Sequence, residues 1–234
     1  MARLPILMYH DVARVESTGL TISERKLERQ FSYLAEKGYK TYHFRDLEKM
    51  ALDGSNKNII LTFDDAYLSH MELVLPLLKK FGFKAIFFAP LSFLGKKDLW
   101  NTSSLEIMSV EQLKSLDPKI IELGYHSYYH NKYTELTNSE IEADTRNCME
   151  FVSKNELNFA PVMAYPYGKF PRDNPRNDIF NKILSQNGIK YGLRIGNRIN
   201  EFPFKKPFEI ERIDVKGEWS LLKFKRKIRF GKLF

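Results

Sequence analysis

The sequence is poor in the features that would place it in several large protein classes. It has one cysteine, Cys148, in 234 residues, so no internal disulfide scaffold can hold it together, a usage that fits a reducing compartment. It lacks a long hydrophobic run. The longest apolar stretch, 85–94, is interrupted by Pro90 and Ser92 and falls short of the roughly 18 residues of a membrane span. The first ten residues meet Pro5 and His10 before any apolar stretch reaches leader length, so no export signal is expected and the expected placement is cytoplasmic, peripheral at the inner membrane at most. There is no internal repeat and no low-complexity linker. Histidine is scarce, with five in all, which makes any histidine spacing informative. What is present is ordinary for a globular chain: 43% hydrophobic, 28% charged and a formal net charge of +8, which excludes disordered, collagen-like and coiled-coil classes. One domain of this size buries enough surface to need no staples.

Short apolar runs alternate with longer amphipathic segments, the pattern of an α/β protein. Residues 4–9 read as a buried strand. Ser23 can cap a helix over 24–37 that buries Leu27, Phe31 and Leu34 and stops at Gly38, with a short strand near 39–42. The clearest strand is 58–63, which ends abruptly at Asp64 and Asp65. A helix around 72–80 then leads to strand 85–89, a helix near 110–116 to strand 120–125, and a helix over 139–154 to strand 162–165. Later strands are expected over 190–193 and 209–215. Acidic, histidine and Pro-Gly elements each follow a strand, and in α/β barrels the active site is built there. The expectation is a (β/α) barrel over 1–215 and a basic amphipathic tail over 216–234.

Three elements can carry chemistry. Asp64 and Asp65 are adjacent carboxylates whose joint ionisation calls for a nearby cation, so a divalent metal would explain them; a turn or helix cap after Phe63 is the plainer reading of the pair alone. His126 and His130 stand four residues apart, on one face if the stretch is helical or turn-like, so both can bind one metal. Tyr165-Pro166-Tyr167-Gly168 supplies a rigid turn whose backbone N–H groups can face a cleft, as an oxyanion site requires.

In order and spacing, Thr62-Phe63-Asp64-Asp65, then His126-Ser127-x-x-His130, then Tyr165-Pro166-Tyr167-Gly168 resemble the polysaccharide deacetylase family, also called the NodB-homology or carbohydrate esterase family 4 group. The resemblance runs from Ile6 to about Val215. It implies a distorted (β/α) barrel in which Asp65, His126 and His130 hold a divalent metal, commonly zinc, with Asp64 as general base and the Tyr167 N–H at the oxyanion. Ser127 matches a position that steadies the metal-binding loop. Two departures stand out. Many members have an arginine two residues before the motif proline to orient the base, where this chain has Ala164, and members usually protonate the leaving amine with a late histidine, whereas none follows His130.

His10 ends the first expected strand, on the same barrel face as Asp64, and is the candidate acid. This placement resembles the circularly permuted poly-N-acetylglucosamine deacetylase subgroup. Arg212 and Asp214 share a face of the last strand and can replace the missing arginine and orient His10; an ordinary strand-edge ion pair is the alternative. His43 and His70 match nothing and read as surface or packing residues. The tail mixes Lys223, Lys225, Arg226, Lys227, Arg229 and Lys232 with Trp219, Leu222, Phe224, Phe230 and Phe234, which suits an anionic membrane surface or a helix with one face on the barrel. No nucleic-acid-binding motif is present. The expected activity is metal-dependent N-deacetylation of an amino-sugar glycan or a lipid-linked sugar. Hydrolysis of a non-carbohydrate amide or O-acetyl ester, or glycan binding without turnover, are the alternatives.

Overall fold

A computed structural model describes residues 1–49, 52, 57–101 and 103–232. Seven strands form the central sheet: β1 (Ile6–Tyr9), β2 (Asn58–Phe63), β3 (Ala85–Ala89), β4 (Ile121–Tyr125), β5 (Phe159–Ala164), β6 (Tyr191–Ile195) and β7 (Ile210–Asp214). They run parallel in the order β1, β7, β6, β5, β4, β3, β2, and β2 pairs back onto β1 through Ile6↔Ile60 to Tyr9↔Phe63, so the sheet closes into a (β/α) barrel. Closure leaves no free edge between these strands.

The strands were legible because a parallel barrel buries both faces, which requires near-continuous apolar runs. Every residue of β1 to β4 is buried. Alternation then sorts their side chains. Ile6, Ile60, Ile86, Phe88, Val162 and Ile210 belong to one apolar cluster, while Leu7, Leu61, Phe63, Phe87 and Ile213 belong to the larger one shared with the helices.

Helices α1 (Glu24–Glu36), α2 (Phe44–Leu47), α3 (Leu75–Phe81), α4 (Val110–Lys114), α5 (Asn138–Lys154), α6 (Arg176–Gln186) and α7 (Leu221–Phe230) surround it. Ser23 caps α1, which buries Leu27, Phe31 and Leu34 as expected, and Gly38 follows it at φ 71°. The helix expected over 72–80 instead opens with a wide turn, His70–Val74, before α3. The expected 162–165 strand starts earlier, at Phe159, and releases Tyr165 to the following turn. Two helices escaped the sequence reading. The polar run 171–178 masks the start of α6, and α2 is only four residues long, below any helical period. Its N-terminus is anchored by buried Glu122 of β4, which accepts from Phe44 N at 2.8 Å and Arg45 N at 3.2 Å. His43 is buried beside it with Nε2 at 3.1 Å from the Ile120 carbonyl, so it is a packing residue.

The basic tail forms α7. It buries Phe224 and Ile228, and Phe224 meets Tyr33 of α1 edge-on at 6.5 Å. No helix among the described residues is long and apolar enough to cross a membrane.

Candidate active site

The C-terminal ends of the strands bring the chemistry-bearing residues together. Asp64 follows β2 and its N–H bonds the Tyr9 carbonyl at 2.9 Å, while Asp65 turns away in the left-handed region at φ 72°. His126 follows β4. Its Nδ1 donates to the Ala164 carbonyl at the end of β5, at 2.8 Å. A carbonyl only accepts, so this bond places the proton on Nδ1 and leaves the Nε2 lone pair free. Burial lowers the His126 pKa to about 4 despite the neighbouring Asp64, so the ring is neutral near pH 7.

That bare Nε2 faces Asp65 Oδ1 at 3.5 Å, and His130 Nε2 approaches the same oxygen at 3.2 Å. Asp65 Oδ1 is buried and has no hydrogen-bond partner. A carboxylate oxygen and an imidazole lone pair repel each other unless a cation lies between them. Asp65, His126 and His130 thus offer three donor atoms within 4.8 Å of one another, the nitrogen and oxygen set of a catalytic zinc-type site. The residues fit a divalent ion.

Beside this cluster, Asp64 is held by Arg212 of β7, with Nη1 to Oδ1 at 2.5 Å and Nη2 to Oδ2 at 2.7 Å. Arg212 is fully buried, its guanidinium lies 5.5 Å from the Phe88 ring centre, and Nη1 also reaches Thr62 Oγ1 at 3.2 Å. Burial alone would raise the Asp64 pKa, but the paired guanidinium outweighs it and keeps the carboxyl below its ordinary value. Arg212 therefore grips Asp64 from β7, in a chain that has Ala164 where the motif would carry an arginine. Asp64 Oδ2 also lies 3.9 Å from His10 Nε2 and 3.9 Å from His126 Nε2.

No hydrogen bond joins Asp214 to His10 among the described residues. Asp214 Oδ2 pairs with Lys216 at 2.7 Å, while its Oδ1 and His10 Nδ1 each lack a hydrogen-bond partner. His10 is instead steadied through its backbone. The fully buried His70 holds the His10 carbonyl at 2.7 Å from within a nest of Phe63, Tyr67 and Phe87 rings, so His70 is a packing residue whose second task is to fix this loop.

The His126–His130 segment is a bend, and Ser127 and His130 are both left-handed, at φ 61° and 57°. Two braces hold it. Ser127 Oγ accepts from His130 N at 2.7 Å, and buried Asp144 of α5 accepts from Tyr128 N and Tyr129 N at 3.1 Å and from Tyr133 Oη at 3.0 Å. Burial nevertheless raises the Asp144 pKa against those donors. Tyr167 sits in the Pro166–Gly168 turn at φ 57°, with its ring edge-on to His130 at 5.0 Å. Gly168 is required there, since a Cβ would meet Ile195 at 2.7 Å and its φ is +64°. Trp100 stacks on the His130 ring at 4.0 Å. Asp65, Ala66, Ser127, His130 and Tyr167 are all non-glycine residues at positive φ, a clustering of strain typical of functional sites.

Sequence reasoning missed Trp100, which belongs to no motif, and Asp144. The signal for Asp144 was a carboxylate on the buried stripe of α5, among Ile141, Thr145, Cys148 and Val152.

The polysaccharide deacetylase family model matches residues 51–192, more than half of the chain. The chain belongs to the polysaccharide deacetylase family. His10 and Arg212 lie outside the matched span, which agrees with a deacetylase barrel whose first and last strands are rearranged in sequence. Among curated proteins, the chain is 26% identical over 195 residues to YxkH of Bacillus subtilis, and 20% identical over 188 residues to the poly-beta-1,6-N-acetyl-D-glucosamine N-deacetylase of Staphylococcus epidermidis. These alignments take in 82% and 77% of this chain and 64% and 63% of those proteins, so the chain spans under two thirds of their length. Among solved structures, the Streptococcus pyogenes deacetylase PplD matches with a TM-score of 0.79 at 18% identity, covering 97% of this chain and 98% of that one. IcaB from Ammonifex degensii matches with a TM-score of 0.78 at 22% identity, covering 98% of each. At those identities the likeness is one of fold, the NodB (β/α) barrel.

Proposed function

We propose that this deacetylase-family chain hydrolyses N-acetyl groups from an amino-sugar glycan, using one divalent ion, zinc first among candidates, held by Asp65, His126 and His130. The observation that carries the reading is the pairing of that buried donor set with a separate carboxylate, Asp64, kept ionised by Arg212 at the same end of the barrel. When bound, the ion would polarise the acetyl carbonyl and make water more acidic.

The residues of the chain then divide the proton traffic. Asp64 Oδ2, on the side of His126 and His10, accepts the proton that water loses as its oxygen attacks the acetyl carbon. Arg212 occupies both Asp64 oxygens, which aims the carboxylate and favours its charged form. The Tyr167 backbone N–H stands in the turn that can donate to the developing oxyanion. His10 Nε2 gives its proton to the sugar nitrogen as the carbon–nitrogen bond breaks, releasing acetate and the free amine. A barrel that binds glycan without turnover is less well supported, because both departures that motivate it, the missing arginine and the missing late histidine, have candidates at the site: Arg212 grips both Asp64 oxygens and His10 Nε2 lies 3.9 Å from Asp64.

The test is acetate release from N-acetylglucosamine oligomers by the metal-loaded protein, beside Asp64→Asn and His126→Ala. Release by the wild type and loss in both variants is expected. No release with zinc, cobalt, nickel or manganese, or full activity in Asp64→Asn, would overturn the reading. O-acetylated sugars run in parallel separate an amidase from an esterase.

A further inference from the structure

The opposite end of the barrel carries a second feature of its own. Pro5, just before β1, and Lys57, just before β2, help line a cleft of about 500 Å³. Arg3, Lys37 and Arg229 add three more cations to its wall, and Tyr33 and Tyr39 supply two phenols. Among the described residues none of these four cations forms an ion pair within 4.0 Å of a carboxylate oxygen, although Glu201 stands opposite Arg3 on a neighbouring strand. Aromatic faces and a carbonyl meet three of them: Lys57 lies 5.0 Å from the centre of Tyr39, Arg229 lies 5.1 Å from that of Phe230, and Arg3 donates to the Arg229 carbonyl. Four unpaired cations converging on one cleft form a site for anionic oxygen.

Helix α7 extends that surface. Leu222, Arg226, Arg229 and Phe230 fall at helical spacing on the face opposite the buried Phe224 and Ile228. Leu222 is 68% and Phe230 49% exposed, and Lys223, Arg226 and Lys227 line a further hollow of about 230 Å³. Cations alone would suit any polyanion. Large apolar side chains set among them suit a surface whose phosphates lie directly above hydrocarbon.

We propose that this end of the barrel and the outer face of α7 dock on an anionic lipid bilayer, with lipid phosphates in the Arg3–Lys37–Lys57–Arg229 cleft and Phe230 and Leu222 in the headgroup layer. Docked in this way, the barrel directs its Asp64 end away from the lipid, so acetylated chains reach it from the solution side. The cationic surface thus combines the tail with residues from β1's approach, the end of α1 and the start of β2.

Co-sedimentation of the intact protein with vesicles tests this without reference to activity. Vesicles of phosphatidylcholine with about 30% phosphatidylglycerol should bind the protein, phosphatidylcholine alone should not, and added salt should release it. Each cation removed should weaken binding about 5-fold, so Lys37→Gln with Lys57→Gln should weaken it about 25-fold. Phe230→Ser should weaken it with no change in charge. Both variants should keep the wild-type circular dichroism and the wild-type acetate release from soluble oligomers, which separates failure here from failure of the proposed reaction. Equal partitioning on the two vesicle types, binding unmoved by the double substitution, or binding of inorganic pyrophosphate without any vesicle binding would overturn the proposal.

Discussion

Removing the Arg212 guanidinium should both unfold and disable the protein, and the two effects can be separated. The Asp64 and Arg212 side chains are 2% and 1% exposed and meet in two bonds of 2.5 and 2.7 Å. Arg212→Met keeps the bulk and removes the charge, stranding a buried carboxylate. Breaking one side of such a pair costs about 3–5 kcal/mol. For a chain of this size each kcal/mol moves Tm by about 2–4 °C, so a fall of roughly 6–20 °C is expected by calorimetry. Replacing both partners by apolar residues is often neutral or stabilising, so Arg212→Met with Asp64→Leu should melt well above Arg212→Met alone while releasing no acetate. Arg212→Lys keeps charge but gives up the two-point grip; it should fold and lose mainly kcat, because Asp64, the proposed base, is present but poorly aimed. A Tm for Arg212→Met within about 2 °C of wild type, or a double variant no more stable than the single one, would refute the argument that burial makes this pair costly to break.

Three further outcomes are expected. Asp144→Ala removes the acceptor for Tyr128 N, Tyr129 N and Tyr133 Oη and should weaken zinc binding about 10- to 100-fold, read by chelator competition; unchanged affinity would deny it a part in shaping the His126–His130 bend. Cobalt should quench the emission of Trp100, which stacks on His130 at 4.0 Å, and the quenching should vanish in Trp100→Phe; equal quenching in that variant would place the ion elsewhere. Burial raises the Glu122 pKa above its ordinary value of 4.5, so the folded state holds that proton more tightly than the unfolded one. Its contribution is fully present below about pH 4.5 and is lost as pH rises through the raised folded value. The Tm of wild type minus that of Glu122→Gln should therefore fall between pH 4 and 7, and a pH-independent difference would contradict the burial argument.

The extent to which the sequence disclosed this site follows from how far apart the cooperating residues lie. Asp64 and Asp65, and His126 and His130, sit within a few residues of each other, so their ligand spacing was visible in the chain, as were strands whose double burial demands unbroken apolar runs. Arg212 is 148 residues from Asp64. Alternation along β7 separates it from Ile213, but only closure of the barrel decides that it meets this particular carboxylate, so the chain alone reads equally well as a strand-edge ion pair. The same limit applies to Asp214. Sharing a strand face with Arg212 says nothing about Lys216, two residues on, which takes Asp214 Oδ2. Asp144 and Trp100 reach the site through an α5 side chain and a long loop, contacts that no local period encodes. The left-handed backbone at Asp65, Ser127, His130 and Tyr167 is likewise a property of the assembled loops, since Asp and His tolerate that conformation better than most residues but nothing in the chain marks which of them adopts it. The local motifs therefore fix which atoms can hold a metal, whereas barrel closure determines whether a charged, firmly held carboxylate stands beside them. In this chain that second condition depends on Arg212.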